Sequence, residues 1–449
     1  MDFKRQKFFV FGLSSSGRAV AEKLLSFGAT VFVYDDGAPR IEKTVKYLTE
    51  KGCVSALSSP ENFIRNADIV VLSPGVPIDN PLVVKAKRMG KRITGELELG
   101  YLFSRATFVA VTGTNGKTTT CSLISAALEA ANEKTFLVGN IGVPLTAKSD
   151  EINARSYPVA VTEVSSFQIE TLSSFTPHIA AVLNVTPDHL DRHYTFENYK
   201  FLKKKLLANL RESEYAVLNY DDEITKSFTK DARFNVIWFS TESEVDGAYI
   251  KGDEAYFFGE KIFDFKNFAL GGIHNRKNAL AAIAVLKLLK VKNDDIARAF
   301  STFKGVKHRI ELIYTAGEVN YYNDSKATNV DSTLKAISAL KKPTVLILGG
   351  YDKNQDFTPL FSALNGGFVT HAVLTGASRF KMLSASENAG YKNISVTPSF
   401  ESAIKIAKIE AKEKNDVLLS PACASFDCFY DYAERGTEFE RIVKSLYEN

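Results

Sequence analysis

Short apolar runs recur along the chain, and many of them lead through a turn of small residues into an amphipathic stretch. The first example spans residues 7–36, where KFFVF is followed by GLSSSG, an amphipathic segment and a second apolar run, TVFVY. Similar apolar runs occur in ADIVVLSPGV, PVAVTEVS and HIAAVLNV, and later in PTVLILGG, HAVLTG and NDVLLSPACAS. Strands that alternate with helices predict an α/β fold with parallel sheets covered by helices on both faces.

The pattern divides into three blocks, and 449 residues exceed what one hydrophobic core usually organises. We predict an N-terminal Rossmann-like domain over residues 1–100, a central parallel-sheet domain over 101–306 and a C-terminal Rossmann-like domain over 307–449. From about Val236 to Phe268 the apolar stretches become short and alternate with turn residues. We expect this segment to form a small antiparallel insertion in the central domain.

Composition narrows the class of protein. The chain is 45% hydrophobic and 24% charged, and its net charge of +4 argues against nucleic acid as the main partner. The four cysteines lack zinc-ligand spacing and are expected to be thiols in a reducing compartment. The basic N-terminus precedes an apolar run that Ser14–Ser16 interrupt, and no stretch reaches about 20 apolar residues. We therefore expect a soluble, cytoplasmic protein without a membrane partner.

A glycine-rich loop between a strand and a helix gives the strongest chemical signal. It comprises Gly113, Thr114, Asn115, Gly116, Lys117, Thr118 and Thr119. Backbone N–H groups in such a P-loop point at phosphate oxygens, its lysine reaches the β- and γ-phosphates, and its threonine ligates Mg²⁺. The strict pattern has glycine where Val111 stands, which leaves a plain tight turn as the alternative. The central domain is therefore predicted to be of the P-loop ATPase type.

Other polar residues allow two interpretations each. Glu163 at a strand end suits the metal of a nucleotide, but it could also serve the N-terminus of the following helix. His189 lies among carboxylates, which suits a divalent ion, although a loop histidine often has no role. Lys203-Lys204-Lys205 could be a solvated basic face. In GLSSSG, Ser14 replaces a glycine that dinucleotide binding needs, so a nicotinamide cofactor is disfavoured while another nucleotide diphosphate remains possible.

In the last block, three polar clusters follow predicted strands, at residues 323–329, 349–353 and 420–427. Such residues either cap helices or bind ligands, and three clusters at the strand ends of one domain make both interpretations reasonable.

These motifs together resemble one family. GTNGKTT, EVSSFQIE, NVTPDHLDRH, GGIHNRKN, FKGVKHRIE, NDSKATN and LLSPACASFD stand in the order found in the Mur ligases, and the resemblance runs from end to end. It is strongest to the branch that adds D-glutamate to UDP-N-acetylmuramoyl-L-alanine. The resemblance implies ATP-dependent amide-bond formation through an acyl phosphate in peptidoglycan precursor synthesis, with two Mg²⁺ ions. The sequence carries no signal for oligomeric state, and a monomer is the default expectation.

The resemblance also implies roles for individual residues. Catalytic roles fall to Lys117, Glu163, His189 and Lys203, and the metal ligands would be Thr118, Glu163, His189 and Lys203, the last as a carbamylated lysine. Beyond the P-loop, ATP contacts would come from Asn275, Asn278, Arg309 and Asp324. The UDP-sugar would meet Ser15, Ser16, Asp35, Asp36, Ser73, Gly75 and Asn140, with His189 near the muramoyl end. The D-glutamate site would comprise Lys326, Thr328, Lys353, Ser425 and Phe426.

Three positions depart from the family pattern, and three rival functions can be compared with the motifs. Gly37, Cys428 and Tyr432 stand where other residues are more usual, and the adjacent lysines leave the carbamylated position uncertain between Lys203 and its two neighbours. The GLSSSG block argues against a folylpolyglutamate synthetase. A sister ligase for diaminopimelate or lysine would carry Asp-Asn-Pro in its last domain, whereas here that tripeptide is in the first, at residues 79–81. A P-loop regulator that senses a nucleotide without forming a bond stays open.

Overall fold

The structure is a computed structural model, and it describes residues 3–37, 41–230, 232–268, 270–412 and 414–448. These residues divide into two compact units. The first unit comprises Met1–Val185, Lys200–Phe268 and Asn275–Phe303, and the second comprises Thr186–Tyr199, Ala269–His274 and Lys304–Asn449. Two sheets lie in the first unit and a third lies in the second.

The first sheet is parallel throughout, with strand order β3-β2-β1-β4-β5. Its strands are β1 Lys7–Phe11, β2 Thr30–Tyr34, β3 Val54–Ser55, β4 Ile69–Leu72 and β5 Arg92–Gly95. The associated helices are α1 Ser15–Ser26, α2 Glu42–Glu50, α3 Pro60–Asn66, α4 Pro81–Arg88 and α5 Glu96–Phe103. Chain order reverses between β1 and β4, and the carboxyl ends of strands at such a point form a crevice where ligands bind. The expected Rossmann-like arrangement is therefore present.

The second sheet has the order β14-β13-β12-β11-β10-β9-β6-β8-β7. Its strands are β6 Thr107–Thr112, β7 Thr135–Gly139, β8 Val159–Glu163, β9 Ile179–Val182, β10 Tyr215–Asn219, β11 Asn235–Ser240, β12 Gly247–Lys251, β13 Glu254–Phe257 and β14 Glu260–Asp264. Helices in this stretch are α6 Lys117–Ala130, α7 Leu145–Asn153, α8 Ser166–Glu170, α9 Leu190–His193, α10 Phe196–Lys205, α11 Glu223–Ser227, α12 Ile273–Leu288 and α13 Asn293–Thr302. Strand β6 lies between β8 and β9, and its residues Phe108–Thr112 are buried, as is typical of a central strand in a parallel sheet.

The antiparallel segment expected from about Val236 to Phe268 is present in part. Strands β12, β13 and β14 pair antiparallel, whereas β11 pairs parallel with both β10 and β12. The segment therefore extends the main sheet instead of standing apart from it. A strand's sequence pattern indicates which face is buried but not which strand lies beside it, so the sequence could not distinguish these arrangements.

The third sheet has the order β15-β16-β20-β17-β18-β19 and is parallel except for the β15–β16 pair. Its strands are β15 Glu311–Ala316, β16 Val319–Asn323, β17 Thr344–Gly349, β18 Val369–Thr375, β19 Ile394–Val396 and β20 Asp416–Leu419. The helices are α14 Val330–Ser338, α15 Thr358–Leu364, α16 Arg379–Ala389, α17 Phe400–Ala411 and α18 Tyr432–Ser445. Because β16, β20 and β17 are neighbours, the three polar clusters noted in the sequence follow adjacent strands at one edge of the sheet.

Each sheet lies within one of the three predicted domains, whose boundaries stay predictions. In the part of the chain that the structure describes, no helix is long and apolar enough to cross a membrane.

Candidate active site

The glycine-rich loop connects the end of β6 to the start of α6. Gly116 caps the helix with a φ of +88°, and Gly113 has a φ of +154°, both in the region that side chains disfavour. A Cβ on Gly116 would lie 2.2 Å from Oδ1 of Asn278, which α12 holds against the loop. A side chain at position 116 would therefore be strained and would displace Asn278, the predicted nucleotide contact that lies beside the loop.

Lys117, the first residue of α6, folds back over the loop. Its Nζ donates to the carbonyl oxygens of Gly113 and Thr114, each at 2.8 Å. The ammonium group is thus held against the loop, at the N-terminus of a fourteen-residue helix. This combination of a cation with a helix N-terminus attracts phosphate.

Thr118 and Glu163 form a buried pair beside the loop. The Thr118 hydroxyl donates to Oε2 of Glu163 at 2.8 Å, and Nδ2 of Asn140 donates to Oε1 at 2.7 Å. Glu163 is 1% exposed at the end of β8. The N-terminus of the following helix α8 is capped by Ser165 with Gln168 in a capping box, so Glu163 is not needed there.

Lys203 is buried against the same loop, with 1% of its surface exposed. Its Nζ lies 3.0 Å from both Oγ1 of Thr112 and the carbonyl oxygen of Gly113. Lys204 is exposed, and Nζ of Lys205 instead donates to backbone carbonyls of residues 169 and 170. The interpretation of this run as a solvated face is therefore wrong for Lys203, the member of the three that contacts the P-loop.

The predicted UDP-sugar residues of the first sheet gather at the carboxyl ends of β1, β2 and β4. Oδ2 of Asp35 accepts from the backbone of Leu13 at 2.7 Å and its Oδ1 accepts from Gly37 at 2.8 Å, while the Ser73 hydroxyl donates to Gly12 at 2.7 Å. These two side chains fix the turns around the crevice. The other members are exposed or half-buried, namely Ser15, Ser16, Asp36 and Gly75.

In the second unit, Asp324 follows β16 and is buried. Its Oδ2 accepts from the Ser420 hydroxyl at 2.8 Å, which joins the β16 and β20 strand ends. Burial raises the pKa of Asp324 to about 6, while the Arg309 guanidinium and the hydrogen bonds act in the opposite direction. Both residues are predicted nucleotide contacts, and their charges attract each other. Asn275, the remaining predicted nucleotide contact, is half-buried in the first unit.

Lys353 forms a buried ion pair with Asp188. The Nζ–Oδ1 distance is 2.6 Å, Lys353 is 3% exposed, and Asn329 donates to Oδ2 of Asp188 at 2.8 Å. Burial alone would raise the pKa of Asp188, but Lys353, His189 and these hydrogen bonds bring it far below its ordinary value. Nε2 of His189 lies 3.5 Å from Nζ of Lys353, and His189 has a left-handed φ of +55°.

The remaining predicted glutamate-site residues flank these clusters. Nζ of Lys326 donates to the Tyr432 hydroxyl at 2.8 Å and lies 4.3 Å from the centre of its ring, so the departure at Tyr432 supplies a partner for Lys326. Ser425 is buried, Thr328 is half-buried and Phe426 is 66% exposed. Cys428 is exposed and has no neighbouring cysteine bonded to it.

Three residues that the sequence analysis did not propose as site residues form hydrogen bonds between the loops of this region. They are Asp188, Gln355 and Arg435. Asp188 lies inside a recognised motif, so proximity to His189 was an available signal. Arg435 contacts Ser325 across 110 positions of sequence, and no local pattern indicates such a pair.

The predicted metal ligands do not all lie in the same compact unit. Thr118, Glu163 and Lys203 lie in the first unit, whereas His189 lies in the second. Among the described residues, no group of three His, Cys, Asp or Glu side chains is placed to hold a metal ion. Mg²⁺ at nucleotide sites usually takes one or two protein ligands together with phosphates and water, so the donor set of Thr118 and Glu163 fits it.

The chain matches three family models along its length. They are a Mur ligase MurD-like N-terminal domain at residues 6–95, a Mur ligase middle domain at 111–286 and a Mur ligase glutamate ligase domain at 308–423. Among solved structures, MurF from Acinetobacter baumannii has a TM-score of 0.65 at 17% identity, covering 94% of this chain and 91% of that one. MurC from Thermotoga maritima has a TM-score of 0.61 at 19% identity, with 98% and 99% covered. These two likenesses concern the fold.

The fold, the P-loop and these matches place the chain in the Mur ligase family. Its relatives within that family include a protein from Thermoanaerobacter sp. (strain X514), 42% identical over 460 residues, with 99% of this chain and 100% of the relative covered. Another, from Clostridioides difficile (strain 630), is 37% identical over 456 residues, with 99% and 100% covered. Both relatives are named UDP-N-acetylmuramoylalanine--D-glutamate ligase.

Proposed function

We propose that this chain is an ATP-dependent ligase that joins D-glutamate to UDP-N-acetylmuramoyl-L-alanine, giving ADP and phosphate, in peptidoglycan precursor synthesis. The observation that carries the proposal is the P-loop, where Lys117, the Thr118–Glu163 pair and the buried Lys203 converge on the end of β6. The names of relatives that match the whole chain support the choice of substrates.

In this proposal the alanine carboxylate attacks the γ-phosphorus of ATP and becomes an acyl phosphate. The amine of D-glutamate then attacks the acyl carbon, and phosphate leaves with one carboxylate oxygen. Lys117 and the N–H groups at the start of α6 hold the phosphates and stabilise the charge that develops on the transferred group. A divalent ion beside Thr118 and Glu163 would neutralise part of the same charge.

Asn140 and Glu163 also have a positioning role. The amide of Asn140 donates to one carboxylate oxygen of Glu163 and the Thr118 hydroxyl donates to the other, so both oxygens of Glu163 have fixed directions. A carboxylate held from two sides keeps its orientation when the phosphates bind. In this proposal Asn140 also contacts the muramoyl end of the UDP-linked substrate, the role that the family resemblance implies for it.

Lys203 is proposed to act as a carbamate. An ammonium group would be repelled by a divalent ion at the neighbouring phosphates, whereas a neutral amine that reacts with CO₂ becomes a negatively charged oxygen donor. Burial against Thr112 and Gly113 supports Lys203, and not Lys204 or Lys205, as the modified residue. The carbamate would serve the second of two ions.

The amino-acid site is proposed at the carboxyl ends of β16, β20 and β17. Lys353, Thr328 and Ser425 supply a cation and hydroxyl donors, which suit the two carboxylates of D-glutamate. The UDP portion is proposed to bind at the β1–β4 crevice, where Ser15 and Ser16 begin α1.

The test is phosphate release measured with each amino acid in turn. We expect release to require ATP, UDP-N-acetylmuramoyl-L-alanine and D-glutamate together. L-lysine, diaminopimelate or L-alanine in place of D-glutamate should give only background. Equal phosphate release with another amino acid would assign the chain to a sister ligase. ATP hydrolysis that does not depend on the UDP-linked substrate or on D-glutamate would instead support a P-loop regulator that forms no bond.

A further inference from the structure

The proposed amino-acid site consists of three loops that come from separate parts of the sequence. They are the 324–329 loop after β16, the 350–357 loop after β17 and the 420–431 loop after β20. Lys326 and Thr328 lie on the first, Lys353 on the second and Ser425 on the third. A ligand with two carboxylates is selected only if donors on different loops keep their spacing to within about 0.5 Å. Something must therefore fix the loops to one another.

Arg435, on the first turn of α18, joins the first loop to the third. Its Nε donates to Oγ of Ser325 at 2.9 Å and its Nη2 donates to the Ser325 carbonyl at 2.8 Å. Nη2 also donates to the carbonyl of Cys423 at 3.0 Å, and Nη1 donates to the carbonyl of Ala424 at 3.1 Å. The planar fork of arginine can hold two backbone segments in this way, whereas a lysine cannot.

The charge of Arg435 is as informative as its geometry. The residue is 2% exposed. No described carboxylate forms a direct ion pair with it, and the charges of Asp427 and Asp324 act on it only from farther away. A buried cation without a paired anion is costly, and hydrogen bonds to neutral oxygens offset only part of that cost. A positive charge held between two ligand-bearing loops favours an anionic ligand at those loops.

Gln355 joins the second loop to the other two. Its Oε1 accepts from the backbone of Val330, the first residue of α14, at 3.0 Å, and its Nε2 donates to the carbonyl of Ala422 at 3.1 Å. Ala422 is buried with a left-handed φ of +57°, a conformation that needs support from its surroundings. Gln355 is two residues from Lys353, so it fixes the loop on which that ammonium group lies.

We propose that Arg435 and Gln355 are positioning residues of the amino-acid site, which together hold its three loops in register, and that the charge of Arg435 selects for an acidic side chain on the substrate. This inference rests on the proposed function. Neither residue needs to touch the substrate, because both act through the loops that carry the binding groups.

The test compares four variants with two matched controls in the full-length enzyme. Gln355→Leu keeps the approximate size and removes both hydrogen bonds, Arg435→Met removes the charge, and Arg435→Lys keeps the charge without the fork. Ser325→Ala removes the hydroxyl that accepts from Nε. The controls are Ser362→Ala, an exposed residue of the helix α15 that follows the 350–357 loop, and Arg441→Gln, an exposed residue of the same helix as Arg435.

Gln355→Leu removes two hydrogen bonds between the loops and Arg435→Met removes four. We expect both variants to raise the KM for D-glutamate, by about tenfold in Gln355→Leu and at least as much in Arg435→Met. The KM for ATP and the kcat should stay within about twofold. Arg435→Lys and Ser325→Ala should lie between wild type and Arg435→Met, and the controls should match wild type. Arg435→Met alone should also reduce the preference for D-glutamate over D-glutamine, since only this variant removes the cation.

The inference would be overturned if the variants raised the KM for ATP as much as the KM for D-glutamate. It would also be overturned if Gln355→Leu and Arg435→Lys left the KM for D-glutamate unchanged. If thermal melting shows that Arg435→Met is not folded, the KM values of Gln355→Leu and Arg435→Lys test the inference. A wild-type enzyme that does not use D-glutamate would contradict the proposed function itself, whereas normal wild-type activity with unaffected variants contradicts only the positioning roles.

Discussion

Replacing Lys203 with alanine should abolish ligase activity while leaving the protein folded. Lys203 is buried, and its Nζ lies 3.0 Å from two oxygen atoms at the start of the P-loop. If this amine carries a carbamate in the active enzyme, the variant loses an oxygen donor next to the transferring phosphoryl group. Loss of one group that stabilises developing charge lowers kcat by about 100-fold or more.

The expected effect on stability is smaller, and the contacts explain why. The carbonyl of Gly113 also accepts from Nζ of Lys117 at 2.8 Å, and the Thr112 hydroxyl donates to the carbonyl of Val164 at 2.7 Å. Neither oxygen is left without a partner when Lys203 is removed. What remains is a cavity in place of the aliphatic chain, so we expect the free energy of unfolding to fall by about 2 kcal/mol.

The assay is phosphate release with all three substrates, repeated with formate or acetate at increasing concentration. A small carboxylate can enter the cavity and supply the missing oxygens, so we expect partial rescue in Lys203→Ala. Lys204→Ala is the matched control, since its side chain is exposed on the same helix, and it should behave like wild type. Full activity of Lys203→Ala would refute the carbamate, and rescue confined to Lys205→Ala would move the modified position.

Three further predictions follow from contacts in the two units. Lys117→Ala should reduce phosphate release to background with little change in melting temperature, because its partners are loop carbonyls; near-normal release would remove the P-loop assignment. Lys353→Met should raise the KM for D-glutamate far more than that for ATP, and should cost about 3 kcal/mol in chemical denaturation because Asp188 stays buried without its cation; equal effects on both KM values would indicate a purely structural role. Burial raises the pKa of Glu96, so its contribution to stability is full below the unfolded pKa of about 4.3 and falls as pH rises. Glu96→Gln should therefore melt at a higher temperature than wild type at pH 8 and at a similar temperature at pH 4, and a lower melting point at pH 8 would contradict this.

The sequence was most informative where chemistry is local. The P-loop and the strand-end position of Glu163 are each set by a few consecutive residues, and the structure places them as expected. The sequence pointed to Lys203 only through the family resemblance, and the structure adds that Lys203 shares a helix face with the buried Tyr199, four residues earlier. From the sequence alone, the three consecutive lysines 203–205 are equally compatible with a solvated face, because their pattern does not show that the P-loop covers Lys203.

Other features depend on contacts between distant parts of the chain. Strand β11 pairs in parallel with β10. The residues of β11 do not by themselves indicate which strand will be its neighbour. Arg435 has its partners at Ser325, Cys423 and Ala424, and Lys353 has its partner 165 positions earlier at Asp188. Such pairs follow from strand order at the sheet edge, which sequence patterns do not give.

The central claim is that the alanine carboxylate is phosphorylated before the amide forms, and one isotope measurement tests it directly. UDP-N-acetylmuramoyl-L-alanine labelled with ¹⁸O in that carboxylate would be incubated with ATP, D-glutamate and the enzyme, and the phosphate analysed by mass spectrometry. The account predicts one ¹⁸O atom in each phosphate released, in step with formation of the amide product. Unlabelled phosphate formed alongside that product would contradict the acyl phosphate, and phosphate without any amide product would contradict the ligase.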